Sequence, residues 1–341
     1  HSGKLAMGFA FGGFNNPDVG KFGQKFHPRN AGIPLPRHTP EVYNWDNILG
    51  IIGTSKYWKT RFIGLDGYIL TAGGLNQYNW ATGEWVDYNK DEVDKPFNCG
   101  SCHTTGYDPD GTAFQDGTAS AVPIPGIVGD FAHINITCEA CHGPGAAHVA
   151  SMSADDIITG DDIDAAACGS CHTRGDDDTV VLASGDFIRH HEQYPELLAG
   201  AHGIFDNLFG GCNGCHEGHV GRSEGWTATT SCETCHGTQA AEYEGSSMYE
   251  EGVKCIDCHM GRASKSARAN GPYEGDVWTH LFRINTAADY DMFNRDMDGN
   301  ATSVKQDPDG ALSLEYACFR CHADADKAEY AAIGNYHTLG K

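Results

Sequence analysis

The sequence predicts a chain that is mainly α-helix and irregular coil, with a small β-hairpin subdomain ahead of it and an interior filled by something other than side chains. Three observations carry that prediction. Apolar residues make up 40% of 341 positions, a thin supply for conventional cores at a length that allows about two domains. Glycine occurs 44 times and proline 13 times, which favours turns over long helices or a large sheet. All 14 cysteines fall in seven copies of Cys-x-x-Cys-His, with none left over.

The elements follow in chain order. Residues 1–40 place Gly3, Gly8, Gly12, Gly13, Gly20, Gly23 and Gly32 among Phe9, Phe11, Phe14, Phe22 and Phe26. They show neither helical nor strand periodicity and read as an extended arm. The chain opens at His1 with neither an initiator Met nor a signal peptide, which suggests a processed, exported form. Residues 41–98 read as a β-hairpin subdomain without a cysteine motif. Arg61 to Thr71 gives a strand, an Asp66-Gly67 turn and a second strand, and Asn79 to Val86 gives another hairpin. Residues 99–341 hold every motif, at spacings of 39, 30, 44, 20, 23 and 63 residues. The two shortest gaps leave room for one short helix and a loop. Helical spacing recurs around Tyr194 to Ala199, Thr238 to Glu251 and Ala323 to Ile333.

The motif carries the chemistry. Composition alone would produce about 0.03 chance matches, against seven observed. Two thiols three residues apart on a tight turn can form thioether bonds to both vinyl groups of one haem, and the histidine that follows is then held under the iron. The thioether pairs are Cys99 and Cys102, Cys138 and Cys141, Cys168 and Cys171, Cys212 and Cys215, Cys232 and Cys235, Cys255 and Cys258, and Cys318 and Cys321. The proximal iron ligands are His103, His142, His172, His216, His236, His259 and His322. Disulfides need no histidine after every second cysteine, and zinc sites built from two such pairs leave one of seven unmatched. Seven haem c groups, about one per 49 residues, account for the thin apolar supply: porphyrin faces replace aliphatic side chains, and the chain wraps round a stack of seven c-type haems.

Seven irons need sixth ligands. Of 18 histidines, 11 lie outside the motifs, at positions 1, 27, 38, 133, 148, 190, 191, 202, 219, 280 and 337. That surplus predicts mostly bis-histidine, low-spin iron closed to substrates, suited to passing electrons. Sulfur ligation by Met248 or Met260 would raise the potential.

Several segments resemble exported multihaem c-type cytochromes, the superfamily that includes hydroxylamine oxidoreductase and pentahaem nitrite reductase. Cys138-Glu139-Ala140-Cys141-His142-Gly143-Pro144-Gly145 with His148 is similar to that group, as is Cys255-Ile256-Asp257-Cys258-His259-Met260 with Trp278-Thr279-His280-Leu281-Phe282-Arg283-Ile284. The resemblance implies that His148 and His280 cap haems attached elsewhere in the chain. Ala201-His202-Gly203, Cys215-His216-Glu217-Gly218-His219 and Arg189-His190-His191-Glu192-Gln193-Tyr194 resemble distal-ligand segments, the last leaving two histidines to choose between. Phe26-His27-Pro28 and Cys99 to Tyr107 resemble the start of a related exported subgroup. The distal set expected is therefore His27, His148, one of His190 and His191, His202, His219, His280 and His337. His38 and His133 are expected to touch ligands or propionates and not iron.

Charge narrows the partners. With 23 Lys+Arg against 46 Asp+Glu the formal charge is −23, which disfavours nucleic acid and suits basic redox partner proteins. No apolar run reaches 18 residues, so no membrane span is expected. Asp108-Pro109-Asp110-Gly111 and Asp296-Met297-Asp298-Gly299-Asn300 supply closely spaced oxygens that could hold Ca²⁺, though neither fits the twelve-residue loop. Haem attachment to such motifs takes place outside the cytoplasmic membrane, so a periplasmic or extracellular location is expected. Three functions fit: a conduit handing electrons to redox proteins or extracellular acceptors; the same conduit polymerised as an extracellular filament resembling cytochrome nanowires, an arm histidine ligating a neighbouring copy's haem; and a reductase or oxidase of a small nitrogen or sulfur compound with one open haem. Every motif ends in His, so the lysine hallmark of nitrite reductase is absent.

Overall fold

The computed structural model describes residues 13–14, 48–53, 58–111, 124–134, 136–206, 210–219, 228–306, 309–323 and 326–341. Apart from the strand Gly13–Phe14, the arm expected over 1–40 lies outside the described residues, and with it His1, His27 and His38. The chain divides into two compact units, residues 1–162 and 163–341.

The first unit is built on a five-stranded antiparallel sheet in chain order: β1 (Gly13–Phe14), β2 (Ile48–Gly53), β3 (Lys59–Gly64), β4 (Gln77–Asn79) and β5 (Glu84–Val86). The turn expected at Asp66-Gly67 is present, with Gly67 at φ 85° and the Leu70 N–H donating to Phe62 O at 2.9 Å. The longer pairings of β3 are with β2 and β4. The second expected hairpin is β4–β5, with Tyr78 opposite Trp85. Successive residues of β2 and β3 point to opposite faces, and both faces are covered. Leu49, Ile52, Ile63, Ile69, Phe97 and Phe131 pack on one side, while Ile48, Ile51 and Phe62 pack on the other, where Phe62 stacks on Trp85. Two-sided burial is why β2 reads as an unbroken apolar run instead of an alternating one.

The second unit is coil tied by small sheets and short helices. Phe187–Arg189 pairs in parallel with Ser264–Lys265 and antiparallel with Ala183–Ser184, and Phe293–Arg295 forms a hairpin with Ala301–Val304. The helix expected at 194–199 is Gln193–Ala199. The one expected over 238–251 is broken into Gly237–Tyr243 and Ser247–Glu250, because Gly245 takes φ 77° and the Ser246 side chain caps the second piece. The third is the single turn Lys327–Ala331, capped by Asp326. Helices thus contribute less than a mainly α chain implies; coil and small sheets carry much of the fold.

Side chains also fill more of the interior than the composition suggested. Val181, Ile188, Leu281, Met292, Phe293 and Leu312 belong to one buried cluster. Most of it comes from the 63-residue interval between the last two motifs, which is long enough to fold on its own apolar residues. Phe293 is 1% exposed, so Phe293→Ala should cost about 3–5 kcal/mol, measured as a lower urea midpoint at unchanged slope.

Candidate haem-attachment site

Each motif closes the same backbone turn. The His N–H donates to the carbonyl of the first cysteine at 3.1 Å for His103, 2.9 Å for His142, 3.0 Å for His172, 2.9 Å for His216 and His236, and 3.1 Å for His322. The remaining motif forms the helix Cys255–His259. One helical turn brings positions i, i+3 and i+4 to one face, so the spacing of two cysteines and a histidine becomes two sulfurs and an imidazole aimed the same way. No disulfide competes, since none of the 14 cysteines is bridged to another.

Four motif histidines stand opposite a second histidine. Ring centroids are 6.1 Å apart for His172 and His191, 6.2 Å for His216 and His280, 5.8 Å for His236 and His202, and 6.0 Å for His259 and His337. Two imidazoles on one metal, each with a metal–nitrogen bond of about 2 Å and a ring centre about 1.1 Å beyond the nitrogen, have centroids roughly 6.2 Å apart. The observed separations fit an iron between each pair.

The surroundings favour the ligating form of these rings. Burial lowers the pKa of His172, His202, His216 and His259 and takes His280 down to about 4, and metal binds neutral imidazole. The hydrogen bonds engage Nδ1 and leave Nε2 for iron. His172 Nδ1 meets Gln193 Oε1 at 3.1 Å, His142 Nδ1 meets Ile158 O at 2.7 Å, and His259 Nδ1 meets Phe282 O at 2.8 Å. His190 differs: its Nε2 lies 3.4 Å from Arg174 Nη1, while its ring packs 4.7 Å from that of His191. His191 takes φ 69°, a left-handed conformation that a non-glycine residue adopts at a cost.

Phe282 is a site residue that sequence reasoning missed. Its ring packs 4.3 Å from His202 and 5.9 Å from His280, its carbonyl orients His259, and its φ is 61°. One strained residue thereby touches the histidines of three different pairs. Its only sequence signal is its position two residues after His280. Glu196, 1% exposed, accepts the His280 backbone N–H at 2.5 Å, and burial raises its own pKa to about 8.

The five motifs of the second unit also lie beside one another in chain order. The thiols of Cys168 and Cys212 lie close enough to perturb each other's pKa, as do those of Cys232 and Cys255. Burial and then the nearby Cys235 raise the Cys215 thiol, and burial and then Cys258 raise Cys318. The last two motifs are clamped by Arg320, inside one, whose Nη2 donates to Asp257 O at 2.8 Å and Asp257 Oδ1 at 3.2 Å, inside the other. Glu274 joins Arg320 at 3.8 Å to Arg262 at 3.7 Å. Arg262 and Arg320 each retain a buried Nε without an acceptor, which fits an acidic group such as a haem propionate.

The other expected residues are placed differently. His148 holds Ser153 O through Nδ1 at 2.7 Å, and His219 lies exposed against Glu217. No motif imidazole faces His148 at the paired separation among the described residues. His133 lies on the two-residue strand that pairs with Thr104–Thr105. At the two acidic loops the carboxylates serve their own turns: Asp296 Oδ1 accepts from the N–H groups of Asp298 and Asn300, and Asp108 Oδ1 from that of Asp110. Among the described residues no cluster of three or more His, Cys, Asp or Glu side chains is arranged to hold a metal ion, and no helix is long and apolar enough to cross a membrane.

Arg320→Ala should lower stability by about 1–3 kcal/mol, because it leaves the half-buried Asp257 without its cation and Glu274 with Arg262 alone. The drop in the urea midpoint measures it, and Asp257→Ala should cost less in the Arg320→Ala background than in the unaltered protein, keeping only the loss of its bond to the Lys254 N–H.

Residues 77–143 match the family of cytochrome c554 and c-prime. No curated protein matches the chain. Among solved structures, the outer cell wall cytochrome OcwA aligns at TM-score 0.51 and 19% identity over 94% of this chain and 80% of its own. The undecahaem cytochrome from the S-layer of Carboxydothermus ferrireducens aligns at 0.42 and 17% over 72% of this chain, which spans 46% of that protein. The octahaem sulfite reductase MccA of Wolinella succinogenes aligns at 0.46 and 12% over 88% of this chain and 61% of its own. The likeness to the outer cell wall cytochrome shows a shared fold. The segment matched at residues 77–143 and the seven Cys-x-x-Cys-His motifs are consistent with a multihaem c-type cytochrome.

Proposed function

We propose that the chain is an electron-transfer protein holding seven haem c groups, most of them capped by a second histidine. The observation that carries this reading is the set of four histidine pairs at 5.8–6.2 Å, each joining a motif histidine to one outside the motifs. In this reading His191, His202, His280 and His337 cap the irons at Cys168, Cys232, Cys212 and Cys255 respectively. Haem c supplies reversible one-electron chemistry. The protein's own part is to fix imidazoles such as His172 and His259 through their Nδ1 partners, to keep water from the buried rings, and to line up consecutive attachment sites so that neighbouring groups are close. The mutual electrostatic perturbation of neighbouring motif thiols from Cys168 to Cys255, and the Arg320–Asp257 hydrogen bonds joining the last two motifs, support a continuous row.

An exported location and acceptors outside the cytoplasmic membrane go with this reading, supported by the shared fold with an outer cell wall cytochrome and by the chemistry of haem attachment. The charge of −23 would steer the protein to basic redox partners, with association slowing as salt rises. The glycine- and phenylalanine-rich stretch over 1–40, with histidines at 1, 27 and 38, supports a further step in which copies polymerise into a filament. Electron micrographs of purified protein test it: fibres are expected, and discrete particles at all concentrations count against the polymer.

Mass spectrometry of the intact protein should give the chain plus seven haem groups, and a smaller number would overturn the count. His191→Ala should convert one haem to high spin in the EPR spectrum, whereas His190→Ala should leave the spectrum low-spin; the reverse would exchange their roles. Replacing His280 by Met should raise the potential of one haem, read in a redox titration.

A further inference from the structure

The second unit carries five motifs, and four of their histidines face another histidine. Among the described residues the fifth, His322, does not. The ring nearest to it is that of Tyr330, with centroids 5.4 Å apart and planes inclined by 54°. That is too close for Tyr330 to lie across a haem, since a ring beyond a porphyrin face would sit roughly 6.5 Å from the imidazole centroid, about 3 Å to the iron and ~3.5 Å of van der Waals contact. Tyr330 therefore packs beside His322, and among the described residues no histidine stands opposite it.

Two independent features mark the same motif. Glu315–Phe319 is a π-helix that runs directly into Cys318, a rare geometry that concentrates at functional sites. The motif is also the last in the row: Arg320 ties it to the preceding motif through Asp257, while Cys321 and His322 are exposed. An attachment site at the end of a row, exposed and without an imidazole across from it, is suited to meeting molecules from outside.

We infer that the iron held by Cys318, Cys321 and His322 keeps an exchangeable sixth position and binds a small external molecule that donates a lone pair to iron, such as a diatomic or a simple anion. The inference rests on the seven-haem reading above. It assigns the open position to one site, the terminal one, and leaves the four paired irons closed.

The test is carbon monoxide binding to the reduced full-length protein, with the haem count taken from intact mass in parallel. A Cys318→Ser/Cys321→Ser variant, one haem lighter, should bind about one carbon monoxide fewer per chain than the unaltered protein, while the four paired haems stay low-spin in both. No binding by the unaltered protein overturns the inference, and points instead to a cap from the first 40 residues or from a second copy. An unchanged number of carbon monoxide molecules bound per chain by the double variant also overturns it. If that variant does not fold, His322→Met keeps both thioether sulfurs. It should shift the C–O stretch of the adduct, and an unmoved stretch overturns the assignment. A haem count below seven would sink the seven-haem reading while leaving the carbon monoxide result legible by itself.

Discussion

One helical turn, repeated seven times, is the constraint on which the molecule depends. Each His-to-Cys backbone hydrogen bond, from Cys99 to His103 through Cys318 to His322, sets two sulfurs and one imidazole on a common face. The turn is short, so it can be inserted wherever the chain passes an attachment site. Helices built round such turns have no need to be long, and the longest among the described residues have seven residues. Isolated helices so short do not hold in water; the Arg320–Asp257 clamp and the Phe282 carbonyl on His259 are tertiary contacts that fix the helix Cys255–His259.

The ordinary cores occupy what the turns leave. In the first unit a small sheet buries apolar residues on both faces. In the second, the apolar cluster around Ile188, Leu281 and Phe293 supports the segment 278–284, and from that segment His280 and Phe282 project toward the motif histidines. Leu281 is fully buried, so its neighbours on either side are directed by the packing of the residue between them. Core packing thus sets imidazole geometry, and the positive φ of Phe282 and His191 is tolerated because the surroundings over-determine both residues.

Much of the attachment chemistry was legible in the residues alone because it is local. Cys-x-x-Cys-His is a spacing within one turn, and its repetition in a chain with no other cysteine names the cofactor without reference to tertiary structure. Hairpins at Asp66-Gly67 and around Gly83 were legible for the same reason, since a residue with positive φ announces itself locally. Helix extents were not: nothing local in 238–251 outweighs the break at Gly245 and the cap at Ser246, and the apolar residues of the long interval before Cys318 reveal a core only once they meet.

By itself the sequence determined which side chains can attach a haem and which histidines are in surplus, because covalent chemistry depends on residue type and short spacing. Only the tertiary structure decided that His191 and not His190 faces His172, that His337 comes to His259 from 78 positions away, and that His322 has Tyr330 beside it. Those choices turn on where the chain returns after long excursions. A histidine gives no local sign of which distant turn it will meet, and the register of that meeting is set by buried side chains such as Leu281 and Phe293 packing together.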